Sequence, residues 1–383
     1  MKNHVLILGC KNYPPFSSRR VISGGMEVYV HELVRYLKQS FDFSIIAGYS
    51  QSDDKNVRVK SVPLVGRFVL QPVSLVIFSF FIVLWQTVTG KRYDLINAQT
   101  PLSGLIGYIV KKINGTPYVV TVHIFAATPD HAGWAARVYG VLERVVLRNA
   151  DRVISAGYGL KRYLDSRYGF TENHVVVIHP GMDVVKFDLS AVSKSILDKL
   201  NTDDYRILFM GRLIEENGLF DLLKAITLLR QEKFKLYIAG NGNLENKILN
   251  FIAHEHLEDK IVLLGVVKGA DKQYLIRNVN LSIRTSYHEV FPVAYLESVS
   301  VGVPVVATPA GDTPYLAEET EAITIVPMNQ PEAIVNAIKD SMLNGRLSSH
   351  SIDKAREFIK RISWGNQSLL TEDIFTEIIN NHT

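Results

Sequence analysis

Cysteine is almost absent from this sequence. Cys10 is the only one in 383 residues, so no internal disulfide framework holds the chain together. Low-complexity tracts and heptad runs are missing as well, which excludes a fibre or a disordered tail as the organising feature. The N-terminus offers only "HVLILG" between charged flanks, too short for the apolar region of a signal peptide, and with the lone cysteine this points to a cytoplasmic protein. The segment "AGNGNLENKI" has two glycines of a dinucleotide fingerprint but lacks the third, and the first strand runs into "GCKNYPPF" instead of a glycine-rich turn. Nicotinamide chemistry is therefore disfavoured.

The chain is 47% apolar and 21% charged, the balance of a folded globular protein, and is long enough for two domains that each bury a core. Its charge is uneven. Residues 1–182 carry 21 Lys and Arg against 11 Asp and Glu, a net +10, whereas the remainder nets −6. Such a first half either meets something anionic, a membrane surface, a phosphorylated substrate or nucleic acid, or is an unevenly charged solvated surface.

Short β-rich apolar runs alternate with helical-period segments throughout, the sign of βαβ units and parallel sheets. In the first half the strands are "HVLILG", "FDFSIIAG", "VRVKSVPL", "DLINAQ", "PYVVTVH", "DRVISAG" and "HVVVIHPG", with helices beginning near Met26, Val73, Leu102, Ala132 and Tyr158. A second series runs from "YRILFMGRL" to "AITIVP". The fold class is α/β, with two Rossmann-like, doubly wound domains in tandem. The expected boundaries are 1–182 for the first domain and 183–365 for the second, with 183–204 as a polar linker and 366–383 as a terminal helix crossing back to the first.

Residues 68–88, "FVLQPVSLVIFSFFIVLWQTV", are apolar on every face. A helix of that kind is buried or in lipid. Its uninterrupted apolar core is shorter than a bilayer crossing needs, and a span here would split a sheet across a membrane. Two readings remain: a fully buried crossover helix, or a peripheral patch whose Phe, Trp and Leu side chains dip into the interface while Lys60, Arg67, Lys91 and Arg92 meet anionic headgroups.

In open parallel sheets ligands collect beyond the carboxyl ends of the strands. Gly24 and Gly25 open a helix there, where bare backbone can approach a phosphate or simply make a turn. Gly211 and Arg212 end a strand, and the arginine can grip a diphosphate bidentately or pair with Glu215 or Glu216. His123 follows an apolar strand directly, a place where a lone histidine more often serves packing than catalysis. In "SYHEVFPVAYLESVSVGVPVVATPAG", Pro292 suits the first position of a helix, so Glu289 lies in the loop before it, next to Phe291, and Glu297 lies on a later turn. Those acids can accept hydrogen bonds from sugar hydroxyls, or they are a capping acid and a surface glutamate.

That stretch closely resembles the Glu-x7-Glu signature of the retaining glycosyltransferases of family 4, which have the GT-B fold. The resemblance spans nearly the whole chain, through "SGGMEVYVHELVRYL", "DLINAQT", "YVVTVH", "VISAGYGLKRYL", "VIHPGMDVVKF", "FMGRL", "IAGNG", "LLGVV" and a late Trp364. It implies two domains facing across a cleft, the second binding a UDP- or GDP-linked hexose donor and the first an acceptor. The resemblance makes Glu297 the residue that holds the ribose hydroxyls and Glu289 the one that meets the transferred sugar near its anomeric carbon. It has Arg212 and Gly211 stabilise the diphosphate, helped by the backbone amides of Gly24 and Gly25, while His123 contacts the sugar. Phe291 and position 217 join the donor site.

Retention would pass through an oxocarbenium-like state, with the leaving phosphate helping to deprotonate the acceptor. No DxD motif is present, in keeping with a family that needs neither metal nor cofactor, and no nucleic-acid partner is implied. The acceptor expected from the basic, apolar first half is a lipid-linked or envelope glycan at the inner membrane face, hence a role in polysaccharide biosynthesis. One departure stands out. The family usually has a lysine six residues after the first glycine of the "GR" motif, where this chain has Asn217. Unless another cation substitutes, the alternative is a catalytically weakened, sugar-nucleotide-binding partner of another transferase.

Overall fold

Runs such as "HVLIL" and "YVVTV" have no polar face, so they fold as strands covered on both sides, the condition of a parallel sheet. The computed structural model describes residues 2–15, 24–65, 70–125, 134–171, 173–183 and 188–382. It divides into two units, Met1–Gly181 with Ile362–Thr383, and Met182–Arg361.

The first unit contains β1 (Asn3–Leu8), β2 (Asn12–Tyr13), β3 (Phe41–Ala47), β4 (Tyr49–Ser50), β5 (Val57–Ser61), β6 (Leu95–Ala98), β7 (Tyr118–Val122), β8 (Arg152–Ser155) and β9 (Val175–Val177). Between them run α1 (Gly25–Leu37), α2 (Leu70–Val88), α3 (Pro101–Asn114), α4 (Trp134–Asn149) and α5 (Tyr158–Tyr168). Seven strands form one parallel sheet in the order β5-β3-β1-β6-β7-β8-β9. The order reverses between β1 and β6. Local signals set the helix ends: α3 starts where the Thr100 hydroxyl accepts from Ser103 N, with Pro101 next, and stops at Gly115 in the left-handed conformation.

The second unit opens with α6 (Lys194–Leu200) and continues β10 (Tyr205–Met210), α7 (Leu219–Leu228), β11 (Phe234–Ala239), α8 (Glu245–Glu255), β12 (Ile261–Gly265) and α9 (Gly269–Asn278). Then come β13 (Leu281–Arg284), α10 (Val293–Val299), β14 (Val305–Ala307), α11 (Thr313–Thr320), β15 (Ile323–Ile325), α12 (Pro331–Asn344) and α13 (Ser349–Arg361). Its parallel sheet has the order β12-β11-β10-β13-β14-β15, which reverses between β10 and β13. The chain closes with α14 (Trp364–Asn380), which packs on α1 in the first unit.

Three expectations shift. The stretch taken as linker holds α6, whose Ile196 and Leu200 enter the second unit's core beside Leu208 and Tyr237. Two apolar residues four apart are too few to announce a helix in a sequence. Residues 184–187 of that stretch lie outside the described residues, as do Arg67, Phe68, Val69 and the expected helix start near Ala132. The return to the first unit begins at Ile362 rather than 366, because Trp364 is already buried in that unit's core with Phe375, Ile378 and Ile379.

The third concerns α2, which is not a fully buried crossover helix. Its inward residues are Ser74, Leu75, Ser79, Val83 and Thr87, while Phe81 is 63% and Trp85 71% exposed. The small hydroxyls face inward and are partly satisfied by the helix's own carbonyls, Thr87 Oγ1 donating to Val83 O at 2.8 Å and Ser74 Oγ to Gln71 O at 3.0 Å. The bulky side chains are left outside. By length and composition this 19-residue helix could cross a membrane, although it serves as the connection from β5 to β6. A basic cluster lies beyond its C-terminus, where burial, and then Arg58 and Lys60, push the Lys91 ammonium below its ordinary range.

Candidate active site

Where strand order reverses, two loops diverge from neighbouring strand ends and leave a crevice. In the second unit that place is beyond β10 and β13. Gly211 and Arg212 leave β10, and residues 285–292 leave β13. The loops are laced together: Tyr287 N donates to Glu216 O at 2.8 Å, Thr285 Oγ1 to Gly218 O at 2.8 Å, and Tyr287 Oη to Asp221 Oδ2 at 2.7 Å. Gly218 stands in the left-handed region at φ +59°, and a Cβ there would run into Thr285 O, so only glycine fits. The glycines of "AGNG", in the loop after β11, have a packing role too, Gly242 passing against Leu213 of the β10 loop.

Glu289 sits in the β13–α10 loop and is held by two donors, Arg284 Nη2 at 2.5 Å and Ser286 Oγ at 3.1 Å. Its backbone is braced by Asp312 N donating to Val290 O at 3.0 Å. Phe291 is buried, and Pro292 stands one residue ahead of α10 instead of at its first position. Glu297 lies on α10 as expected and pairs with Lys272 of α9 at 2.6 Å. Arg212 is exposed, and no acid among the described residues pairs with it, since Glu215 is taken by Lys247 at 3.3 Å. Asn217 is turned inward, 5% exposed, its Nδ2 donating to Arg212 O at 2.6 Å. It fastens the loop that carries Arg212.

In the first unit Gly24 caps α1 and Gly25 begins it. The Gly24 amide is already engaged, donating to Glu27 Oε2 at 2.7 Å, while Glu27 Oε1 accepts from Lys11 N at 3.2 Å. A buried carboxylate thus fills part of the helix N-terminus that the sequence offered to a phosphate. His123 directly follows β7 and bonds through Nε2 to Gln99 Oε1 at 2.9 Å, and its ring meets that of Tyr29 edge-on at 4.8 Å. Gln99 Nε2 in turn donates to Asn97 Oδ1 at 2.9 Å, and Thr121 Oγ1 donates to the same atom at 3.1 Å. With the Gln99 amide oriented in this way, Nε2 carries the histidine proton and Nδ1 is a bare acceptor.

Burial pushes the His123 imidazole down to about 4, so it is neutral at pH 7. The unfolded chain binds that proton at the ordinary value, so the neutral fold holds its full stability above pH 6.5. It loses of order 3 kcal/mol as pH falls from there through 4. Titrating the His123 ring by NMR should give a midpoint near 4; one near 6.5 would contradict the buried, Gln99-bound state.

Sequence reasoning missed Arg284, Lys272, Glu27 and Gln99. Only Arg284 left a signal, as a lone cation ending the apolar strand "LSIR".

The two halves match two family models. Residues 23–186 match Glycosyltransferase Family 4, and residues 196–358 match Glycosyl transferases group 1. The chain is a family-4 type glycosyltransferase with the GT-B fold. A glycosyltransferase of Methanocaldococcus jannaschii is 24% identical over 302 residues, 74% of this chain and 75% of that one. Sucrose-phosphate synthase from Thermosynechococcus elongatus has the same fold at a TM-score of 0.76, with 18% identity and all of both chains covered. HepE of Anabaena, solved with UDP-glucose, gives a TM-score of 0.74 at 19% identity over 98% of this chain and 99% of its own. In the glycosyltransferase, then, the Glu289 and Arg212 loops meet at the reversal point of the second sheet.

Proposed function

We propose that this glycosyltransferase moves a hexose, with retention, from a UDP- or GDP-linked donor to a lipid-linked or envelope glycan, working without metal at the inner face of the cell membrane. The observation that carries the donor reading is the pairing of an unpartnered Arg212 and a braced Glu289 on adjacent loops at the reversal point, with Glu297 further along on α10. Solved relatives of the same fold hold UDP and UDP-glucose. A nucleotide diphosphate sugar offers hydroxyls at both ends and a diphosphate between, which suits two carboxylates and an exposed guanidinium.

In this reading Glu297 accepts hydrogen bonds from the ribose and Glu289 from the hexose. Arg212 stabilises the diphosphate as it departs, and the neutral His123 meets the sugar. Gly25 is the freer of the two glycine amides in the first unit. The membrane reading rests on the outward aromatic side chains of α2 and, separately, on the grouping of Lys91 with Arg58 and Lys60.

The test is a panel of UDP- and GDP-sugars read by thermal unfolding. A donor at 100 times its Kd stabilises the fold by about 2.7 kcal/mol, which moves the Tm of a 383-residue protein by roughly 3 °C. If no nucleotide sugar shifts the melt and none is consumed, the donor reading fails. Asn217 favours a second reading, a weakened partner protein that binds the donor without turning it over. Robust turnover by the wild-type chain removes it.

A further inference from the structure

The lysine that the family resemblance places at position 217 would bring a charge to the diphosphate end of the donor site. Asn217 brings none. The loops beyond β10 and β13 carry the acids Glu215, Glu216 and Glu289, with Asp221 in the first turn of α7. A diphosphate entering such a place needs a compensating cation besides Arg212.

The structure supplies one from a different strand. Arg284 is the last residue of β13, the neighbour of β10, and its side chain is only 11% exposed. Nη1 donates to Met210 O, the last carbonyl of β10, at 2.5 Å, and the guanidinium lies over the Phe209 ring at 5.7 Å. Nη2 donates to Glu289 at 2.5 Å. At Gly211, a side-chain carbon would stand 2.7 Å from Arg284 Nη1 and 3.4 Å from Asn217 Nδ2, so guanidinium and amide flank one point beside the "GR" motif. Nη2 also reaches Ser286 Oγ at 3.4 Å, and the buried Nε–H meets no acceptor.

We propose that Arg284 stands in for the lysine that position 217 lacks, supplying the positive charge at the diphosphate end of the donor site while its ion pair aims Glu289. This rests on the donor reading above. The charge has moved from the β10 loop to the end of β13, and the vacated position carries an amide that ties the loop instead. Arg284 is a positioning residue with respect to Glu289 and acts on the diphosphate through its field.

The experiment measures binding of UDP and GDP, with uridine and guanosine as phosphate-free controls, by calorimetry on the full chain. Arg284→Gln is expected to weaken nucleoside diphosphate binding by about 10- to 100-fold and nucleoside binding by less than about 3-fold. Arg284→Lys should keep most of the affinity. Adding Asn217→Lys to Arg284→Gln should restore diphosphate binding to within about 5-fold of wild type, whereas Asn217→Lys alone should gain little because the charge is already present.

Diphosphate binding unaffected by Arg284→Gln, or lost equally for diphosphate and nucleoside, overturns the assignment. Failure of Asn217→Lys to rescue an Arg284→Gln protein that melts like wild type does so too. If the wild-type chain binds neither UDP nor GDP, the donor reading itself falls, an outcome distinct from these.

Discussion

Glu289→Ala lowers sugar transfer by about 10²- to 10³-fold, the range seen when one well-placed electrostatic group is removed from a transition state. The expectation follows from how the carboxylate is held. Arg284 and Ser286 fix it from one side, and the Asp312–Val290 backbone bond fixes the loop that carries it. Little freedom remains for it to move away from the sugar that it is proposed to meet. Removing it also leaves Arg284 without its ionic partner in a largely enclosed place, which costs about 1 to 3 kcal/mol of fold stability. Glu289→Gln separates the two effects, since it keeps the shape and loses the charge. The rate should still fall at least about 10-fold, with a melting temperature between those of Glu289→Ala and wild type, because the amide oxygen still accepts from Arg284.

Glu297→Ala should behave differently. A ribose contact is the same in ground and transition states, so its loss raises the donor KM and changes kcat little. Wild-type kcat and kcat/KM in Glu289→Ala would remove the hexose-facing role of this residue.

Replacing Phe81 and Trp85 together with aspartate abolishes most binding to lipid vesicles, an effect of about 10²- to 10³-fold on the partition coefficient. Burying one such aromatic gains about 1.5 to 3 kcal/mol, so two exceed the 1.4 kcal/mol per tenfold step more than twice over. Because both side chains are exposed in the protein, the melting temperature should hold, which distinguishes lost docking from lost folding. Flotation with phosphatidylcholine vesicles, with and without phosphatidylglycerol, is the measurement. Binding should be stronger on the anionic vesicles and fall with salt if the cations Arg58, Lys60 and Lys91 meet headgroups. Equal flotation of wild type and double variant would return α2 to the status of an unusually apolar surface helix.

Both expectations begin in the sequence and end outside it. The strands of both sheets were legible because parallel strands covered on two faces must be continuous apolar runs, and "RILFM" or "KLYIA" has no other soluble use. The placement of Glu289 in a loop and Glu297 on a helix was legible from Pro292, even though the helix starts one residue later than expected. Segment 68–88 was legible as a helix but not in orientation. Every face looked apolar, so no moment told which side packs, and steric fit settled it by turning the small Ser74, Ser79 and Thr87 inward. The Gly24 amide shows the opposite failure. Its glycine signalled an open anion site, and the side chain of Glu27, three residues on, occupies it.

The sequence alone determined the α/β class, the two doubly wound units and the strand ends at which chemistry belongs, because hydrophobic period and breaker residues act locally. Which of those ends meet was decided only by tertiary structure. Arg284 lies 67 residues from Asn217, and nothing local relates them. They flank one point because the chain builds β11 and β12 outward from one side of β10 and then returns to lay β13 against the other side. Strand order in a parallel sheet is set by how the crossovers pack as a whole, so the identity of the cation in this site became visible only when the sheet was assembled.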